Sequence, residues 1–335
     1  MSQNKKPYTL SKNILTLLVT IAVVLTLVGG VGEVILRKQY SENDHYPQRE
    51  GEIRKSCVKG SGDVLYEFDP TCNHINSEGF IDHEYPLQKK NGTYRIIVIG
   101  DSIAQGHGVD VYSESFPKVL EKKLNENIDK PHYEVLTMAV TGYSTSQELK
   151  VLEDKALKYD SDLIVWSYVL NDPSHPVFHD ANGGRGDYFA DPKLHVTQYF
   201  RKKIFYIKER IIADKKECPE EFHKFAHCVY WKDIKGNIAG INKLASREEA
   251  EVLFMIHPVF KASDFQEGYG YDTEHEKLSR EARKNGFYVL DILEAYQPYE
   301  VSELKLSPDD PWHPNARGHE IVAEELFKKI KWISK

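Results

Sequence analysis

Apolar residues along this chain fall into two patterns. The first is an unbroken run at the amino terminus, Ile14 to Gly32, without a single charge. The second starts at Tyr94, where short apolar runs rich in β-branched residues recur between longer amphipathic stretches. Those runs predict strands over 95–99, 133–138, 163–168, 252–256 and 287–292. None alternates apolar with polar positions, so each reads as a strand buried on both faces, as in a parallel sheet. The stretches between predict helices over 116–127, 147–159, 198–213, 273–285 and 316–330. Strands alternating with helices predict an α/β fold of βαβ units, with a mainly parallel sheet and helices on both faces. Residues 172–250 are expected to form a long insertion between the third and fourth strands, carrying the loop Gly183-Gly184-Arg185-Gly186.

The amino-terminal run has the dimensions of a membrane span. Nineteen residues rise about 28 Å as a helix, close to the hydrocarbon thickness of a bilayer. Uniform apolarity around the helix argues against a buried core helix. A cleaved signal peptide would have a shorter apolar region and a small-x-small cleavage site, of which Gly30-Val31-Gly32 is a poor version. The expected organisation is a short basic tail (1–13), a transmembrane anchor (14–36), a polar stalk and extension (37–92) and a main domain (93–335). Lys5, Lys6 and Lys12 precede the span and Arg37, Lys38, Arg49, Arg54 and Lys55 follow it. That balance does not fix the orientation; the short tail favours the usual inside placement, with the domain exported.

Composition narrows the rest. The chain has 335 residues, 41% hydrophobic and 28% charged, with a net charge of −7. Nothing there suggests a nucleic-acid partner. The densest basic run, Arg201-Lys202-Lys203, falls in a predicted amphipathic helix and reads as a solvated face. The cysteines (57, 72, 218 and 228) lack the spacing of a zinc knuckle. In an oxidising compartment the local pairs Cys57–Cys72 and Cys218–Cys228 are expected, although four cysteines permit three pairings and a reducing compartment would leave four thiols.

Chemistry gathers where the predicted strands end. The first ends in Gly100-Asp101-Ser102, which puts a serine at the carboxyl edge of the sheet, where α/β proteins bind ligands. A serine needs a base to take its proton, and the base needs a third group to fix its tautomer. Of fourteen histidines only His313 follows a carboxylate by three residues in a stiff loop, Asp310-Pro311-Trp312-His313-Pro314. Asn315 is a plausible N-cap for the last helix. Oxyanion donors are expected from the Gly142 N–H and the Asn171 amide, after the second and third strands. A turn histidine and ordinary turn residues are the plainer alternatives.

In this order, Gly100-Asp101-Ser102-Ile103, Gly142, Asn171-Asp172 and Asp310-Pro311-Trp312-His313 resemble the four motif blocks of the SGNH hydrolases, or GDSL esterase/lipase family, over about residues 94–331. The resemblance implies a flavodoxin-like α/β/α sandwich, here preceded by one transmembrane helix. It implies ester hydrolysis through an acyl-enzyme, with Ser102 as nucleophile, His313 as base and Asp310 as its orienting partner. The Ser102 and Gly142 amides and the Asn171 side chain would form the oxyanion hole; no cofactor or metal is implied. Asn76-Ser77-Glu78-Gly79-Phe80 is similar to a lead-in of anchored members. The third block departs from Gly-x-Asn-Asp, with Val169-Leu170 ahead of Asn171-Asp172. The second has Met138-Ala139 where an asparagine is frequent.

Other chemistries have less behind them. Gly142-Tyr143-Ser144-Thr145-Ser146 lacks the second glycine of a nucleophile elbow. No dinucleotide or phosphate-loop motif follows a strand. His175, His179, Asp180 and His257 could be imagined as a metal set, but pocket or surface histidines are commoner. Trp166, Tyr168, Phe178, Tyr188 and Phe189 read as core more readily than as a sugar platform. The expected function is therefore a membrane-anchored serine esterase acting on an acylated glycan or lipid. An O-acetyltransferase of an extracytoplasmic polysaccharide and a non-catalytic anchored binding module are the alternatives.

Overall fold

The computed structural model describes residues 12–42, 57–61, 64–126, 131–173, 195–261, 265 and 268–333. Helix α1 (Lys12–Glu42) opens the chain, and the hairpin β1 (Val58–Ser61) and β2 (Leu65–Phe68) follows. The main domain then runs β3 (Thr93–Gly100), α2 (Ser102–Gln105), α3 (Phe116–Asn125), β4 (His132–Ala139), α4 (Thr145–Asp154) and β5 (Leu163–Val169). Next come α5 (His195–Lys216), α6 (Phe222–Val229), α7 (Trp231–Arg247), β6 (Glu251–His257), α8 (Asp272–Lys284) and β7 (Tyr288–Asp291). Short α9 (Ile292–Tyr296) and α10 (Val301–Leu304) lead to the last helix, α11 (Ala316–Ile333).

The five main strands form one sheet, all parallel, in the order β4-β3-β5-β6-β7. Counted along the chain this is 2-1-3-4-5, the flavodoxin-like order. After β3 the chain crosses to one side for β4, then passes back over β3 to β5, so the strand order reverses on either side of β3. Its carboxyl end is the place where such sheets bind ligands. Burial explains the unbroken apolar runs: Ile96 to Ile99 and Leu163 to Trp166 have no exposed surface. Right-handed crossovers put α3 and α11 on one face and α4, α7 and α8 on the other.

Several boundaries differ from those read off the sequence. Helix α4 starts at Thr145, not 147, because Ser144 and Gln147 form a capping box. It stops at Asp154 and gives way to a tight turn over Ala156–Tyr159. Strand β7 ends at Asp291, whose carboxylate caps α9 by accepting from Leu293 N–H. The largest difference lies in 172–250, which is not all insertion. Helix α7 buries Ile234, Ile238, Ile241 and Ala245 at helical spacing against α4 and β6, and it is the crossover that two parallel strands require. The loop 183–186, His175, His179, Asp180, Phe178, Tyr188 and Phe189 lie outside the described residues. Trp166 and Tyr168 are core.

Residues 57–92 are built onto the β4–α4 connection. Tyr143 donates its hydroxyl to Tyr66 O at 2.6 Å and Tyr66 donates to Thr141 O at 2.8 Å. Gln147 donates to Val64 O at 2.7 Å, and the Asn76 side chain accepts from Glu78 and Phe80 N–H. Disulfides Cys57–Cys72 and Cys218–Cys228 close loops of 15 and 10 residues, the two local pairings expected. Replacing Cys57 and Cys72 together by serine is expected to lower stability by about 3 kcal/mol, from the loop entropy regained by the unfolded chain. Denaturant midpoints of both proteins without reductant measure this.

Contacts divide the chain into two compact units. Residues 1–47 and 192–208 form the smaller, in which α1 carries an apolar stretch over Ile14–Lys38 that is long enough to cross a membrane. The sheet, its helices and the extension belong to the larger.

Candidate active site

Strand β3 delivers the serine. Gly100 closes the strand between β4 and β5, paired with Ala139 on one side and Ser167 on the other. A side chain cannot fit there, since a Cβ would stand 2.8 Å from Ser167 O and 2.9 Å from Ala104 Cβ. The chain turns at once into α2, whose first residue is Ser102. Asp101 caps that turn, its Oδ1 accepting from Ile103 N–H at 3.0 Å. Ser102 is largely buried, and its main-chain carbonyl is held by His107 N–H at 2.9 Å.

The histidine comes from a loop 211 residues further on. His313 Nε2 lies 2.9 Å from Ser102 Oγ. Its Nδ1 lies 2.9 Å from Asp310 Oδ2 and 3.1 Å from Oδ1. Asp310 Oδ1 also accepts the main-chain N–H groups of Trp312 and His313, at 2.9 and 3.0 Å. The loop is tied at both ends: Leu306 N–H donates to His313 O, Phe260 N–H to Pro311 O and Asn315 N–H to Leu304 O. Asn315 caps α11 as expected, accepting from Gly318 N–H at 3.1 Å.

Electrostatics suit the arrangement. Burial alone would raise the Asp310 carboxyl, but hydrogen bonds and charge from His313, with the two main-chain N–H groups, outweigh it and hold the group below the ordinary carboxylate range. An ionised Asp310 accepts from His313 Nδ1, and that arrangement can leave Nε2 to accept from Ser102 Oγ. Asp101 Oδ2 sits 3.2 Å from Ser102 Oγ and competes for the same hydroxyl proton. Burial pushes its carboxyl up, against the hydrogen bond from Ile103 N–H and the charge of His313, which act to lower it. His319 is fully buried, and desolvation followed by repulsion from His313 lowers its imidazole to about 3. His257 is lowered to about 3 mainly by burial, and its Nε2 lies 2.9 Å from Ser167 Oγ. Burial thus holds both rings toward the uncharged form.

Gly142 and Asn171 follow β4 and β5, the two strands that flank β3. Gly142 has φ +80°. Its neighbour Thr141 donates N–H and hydroxyl to Gln105 Oε1, both at 2.8 Å, which joins this loop to α2. Although the third block departs from Gly-x-Asn-Asp, its turn is closed. Asp172 N–H donates to Val169 O, and Asp172 Oδ2 accepts Val169 N–H at 2.6 Å. Thr145 N–H donates to Asp172 O at 3.1 Å, linking the second and third loops. Ser102, His313 and Asp310 are thus in contact, and Gly142 and Asn171 follow the two strands that lie beside β3.

A model of the GDSL-like lipase/acylhydrolase family matches residues 98–321, most of the chain, from the end of β3 into α11. The chain belongs to the GDSL-like lipase/acylhydrolase family. It is a serine ester hydrolase. No curated relative matches it by sequence. Solved structures of similar fold include the acetyl xylan esterase AlAXEase, at 16% identity over 70% of this chain and 99% of that one, with a TM-score of 0.46. The acetylxylan esterase Axe2 from Geobacillus stearothermophilus follows at 13% identity, 72% and 96% coverage and a TM-score of 0.47. TesA matches at 16% identity, 71% and 98% coverage and a TM-score of 0.43.

Two residues in this acylhydrolase escaped the sequence reading. The motif alone does not report the contact of Asp101 with the hydroxyl. His107 is buried, and its ring lies tilted at 43° beside that of His313 with centroids 4.4 Å apart. Its place in Gly106-His107-Gly108, five residues past the serine, was the only signal available.

Proposed function

We propose that Ser102 is the nucleophile of a membrane-anchored esterase, with His313 as general base and Asp310 as its orienting carboxylate. The observation that carries this reading is the continuous chain from Ser102 Oγ to His313 Nε2 and from His313 Nδ1 to Asp310. Ser102 Oγ attacks the ester carbonyl as its proton passes to His313 Nε2. The tetrahedral oxyanion is held by the Ser102 and Gly142 N–H groups and the Asn171 amide. His313 then gives its proton to the departing alcohol, leaving an acyl-serine. Water activated by His313 attacks in turn, and the acid leaves. The substrate is an acylated glycan or an acyl lipid. The apolar stretch of α1 supports anchoring; the two disulfides support a domain on the exported side.

Product analysis in ¹⁸O-labelled water tests the reaction. The full-length protein, held in bilayer discs, is given acetylated oligosaccharides and nitrophenyl esters of increasing chain length. The expected result is free acid carrying one label from water. Acyl groups recovered on a sugar hydroxyl instead would make it an O-acetyltransferase, and a lack of turnover on every ester would leave only a binding role.

A further inference from the structure

The smaller unit holds a feature that ester hydrolysis does not use. Among the described residues, eight large hydrophobics outside α1 are exposed, and four of them, Tyr199, Phe200, Ile204 and Ile207, lie on the part of α5 that belongs to this unit. Phe200, Ile204 and Ile207 are 59%, 54% and 60% exposed. Their spacing of four and three residues puts them on one helical stripe. Lys203 and Lys208, both exposed, flank the stripe at about 60° and 80° from Phe200, one on each side. Lys203 Nζ stands 5.4 Å from the centre of the Tyr199 ring. An apolar stripe of this kind is costly in water, and long cationic side chains on its borders can keep their charges at headgroup level while their stems cover apolar surface.

The start of α5 is fixed to the end of the anchor. Glu33, in the last part of the apolar stretch of α1, accepts Val196 N–H at 2.9 Å through Oε2, and its Oε1 lies 3.1 Å from His195 Nδ1. Arg37 closes on the same carboxylate at 2.8 Å. Val196 packs so tightly on Gly32 that a Cβ there would stand 3.3 Å from Val196 Cγ2. The first turn of α5 is therefore fixed to the last turns of the apolar stretch of α1.

We propose that α5 is an interfacial helix whose Phe200–Ile204–Ile207 stripe lies in the headgroup–acyl boundary of an anionic bilayer. The inference rests on the anchored reading above. Continuity with the span supplies the lipid, and the flanking lysines select anionic headgroups. The helix would hold the chain against the membrane beyond its point of exit, close to esters presented there.

Nitroxide scanning of the full-length protein tests this, because no free cysteine is found among the described residues and a new one labels selectively. Ile204→Cys, Val24→Cys and Lys277→Cys are labelled separately and reconstituted in vesicles of phosphatidylcholine and phosphatidylglycerol. The ratio of oxygen to aqueous nickel-complex collisions at 204 is expected to exceed that at exposed 277 by roughly threefold, as for a side chain sunk 5–10 Å into the boundary. A ratio at 204 equal to that at 277 overturns the proposal. So does protection from both reagents, which would mean that protein covers the stripe. Position 24 judges the anchor separately: deep at 24 with aqueous at 204 sinks the interfacial helix alone, and aqueous at 24 sinks the anchored reading.

Discussion

Ser102→Ala is expected to lower kcat on a short nitrophenyl ester by about five to six orders of magnitude, to the level that binding and oxyanion stabilisation leave behind. The substitution removes one oxygen, the atom 2.9 Å from His313 Nε2. It spares the Ser102 N–H offered to the oxyanion and the turn capped by Asp101. Stability should change little: Ser102 starts a four-residue helix tied through its main chain, and among the described residues Oγ hydrogen-bonds to His313 and Asp101. Unchanged melting with lost turnover is thus the expected pair of results. The nearest serine in sequence that could be mistaken for a nucleophile, Ser144, is spent on the capping box, its hydroxyl 3.0 Å from Gln147 Oε1. Full activity in Ser102→Ala would move the nucleophile elsewhere. Adding His313→Ala to it should cost almost nothing more, because base and nucleophile act as one unit.

The strands were legible because a parallel sheet covered on both faces demands continuous apolar runs, and Ile96–Ile99 can hardly be read otherwise. Helix α7 was less visible. Its stripe of Ile234, Ile238, Ile241 and Ala245 is present in the sequence, but Lys, Gly and Asn fall between those positions and the stretch reads as insertion. Only the rule that two parallel strands need a crossover between them turns that stripe into a core helix. The β1–β2 hairpin has strands of four residues, too short for periodicity to mark. In the site, Ser102, Asp310 and His313 were readable because each sits at a punctuated loop with its own motif. Asp101 and His107 gain their places from proximity to His313, on a loop more than 200 residues distant, and no local pattern reports that approach.

Asp310→Asn is expected to cost about 10³–10⁴ in kcat, less than loss of either Ser102 or His313, and for a different reason. An asparagine of the same shape can still offer its amide oxygen to the Trp312 and His313 N–H groups that Oδ1 now receives. Its NH₂ then faces His313 Nδ1, where a carboxylate oxygen stood at 2.9 Å. That contact favours a bare Nδ1 and a proton on Nε2, so the imidazole meets Ser102 Oγ as a donor and cannot act as base. The carboxylate also carries a stability signature. Its pKa in the folded protein lies below the unfolded value of about 4, so between the two the unfolded chain binds more protons and stability rises with pH. Its contribution is whole above about pH 4 and fades as acid drives the pH down through the folded value. The stability gap between wild type and Asp310→Asn should therefore be widest near neutrality and shrink toward pH 3, measured by paired denaturant titrations. A gap of the same size at both ends would mean that the ionised carboxylate contributes nothing to holding the loop, leaving its effect on kcat to the tautomer alone.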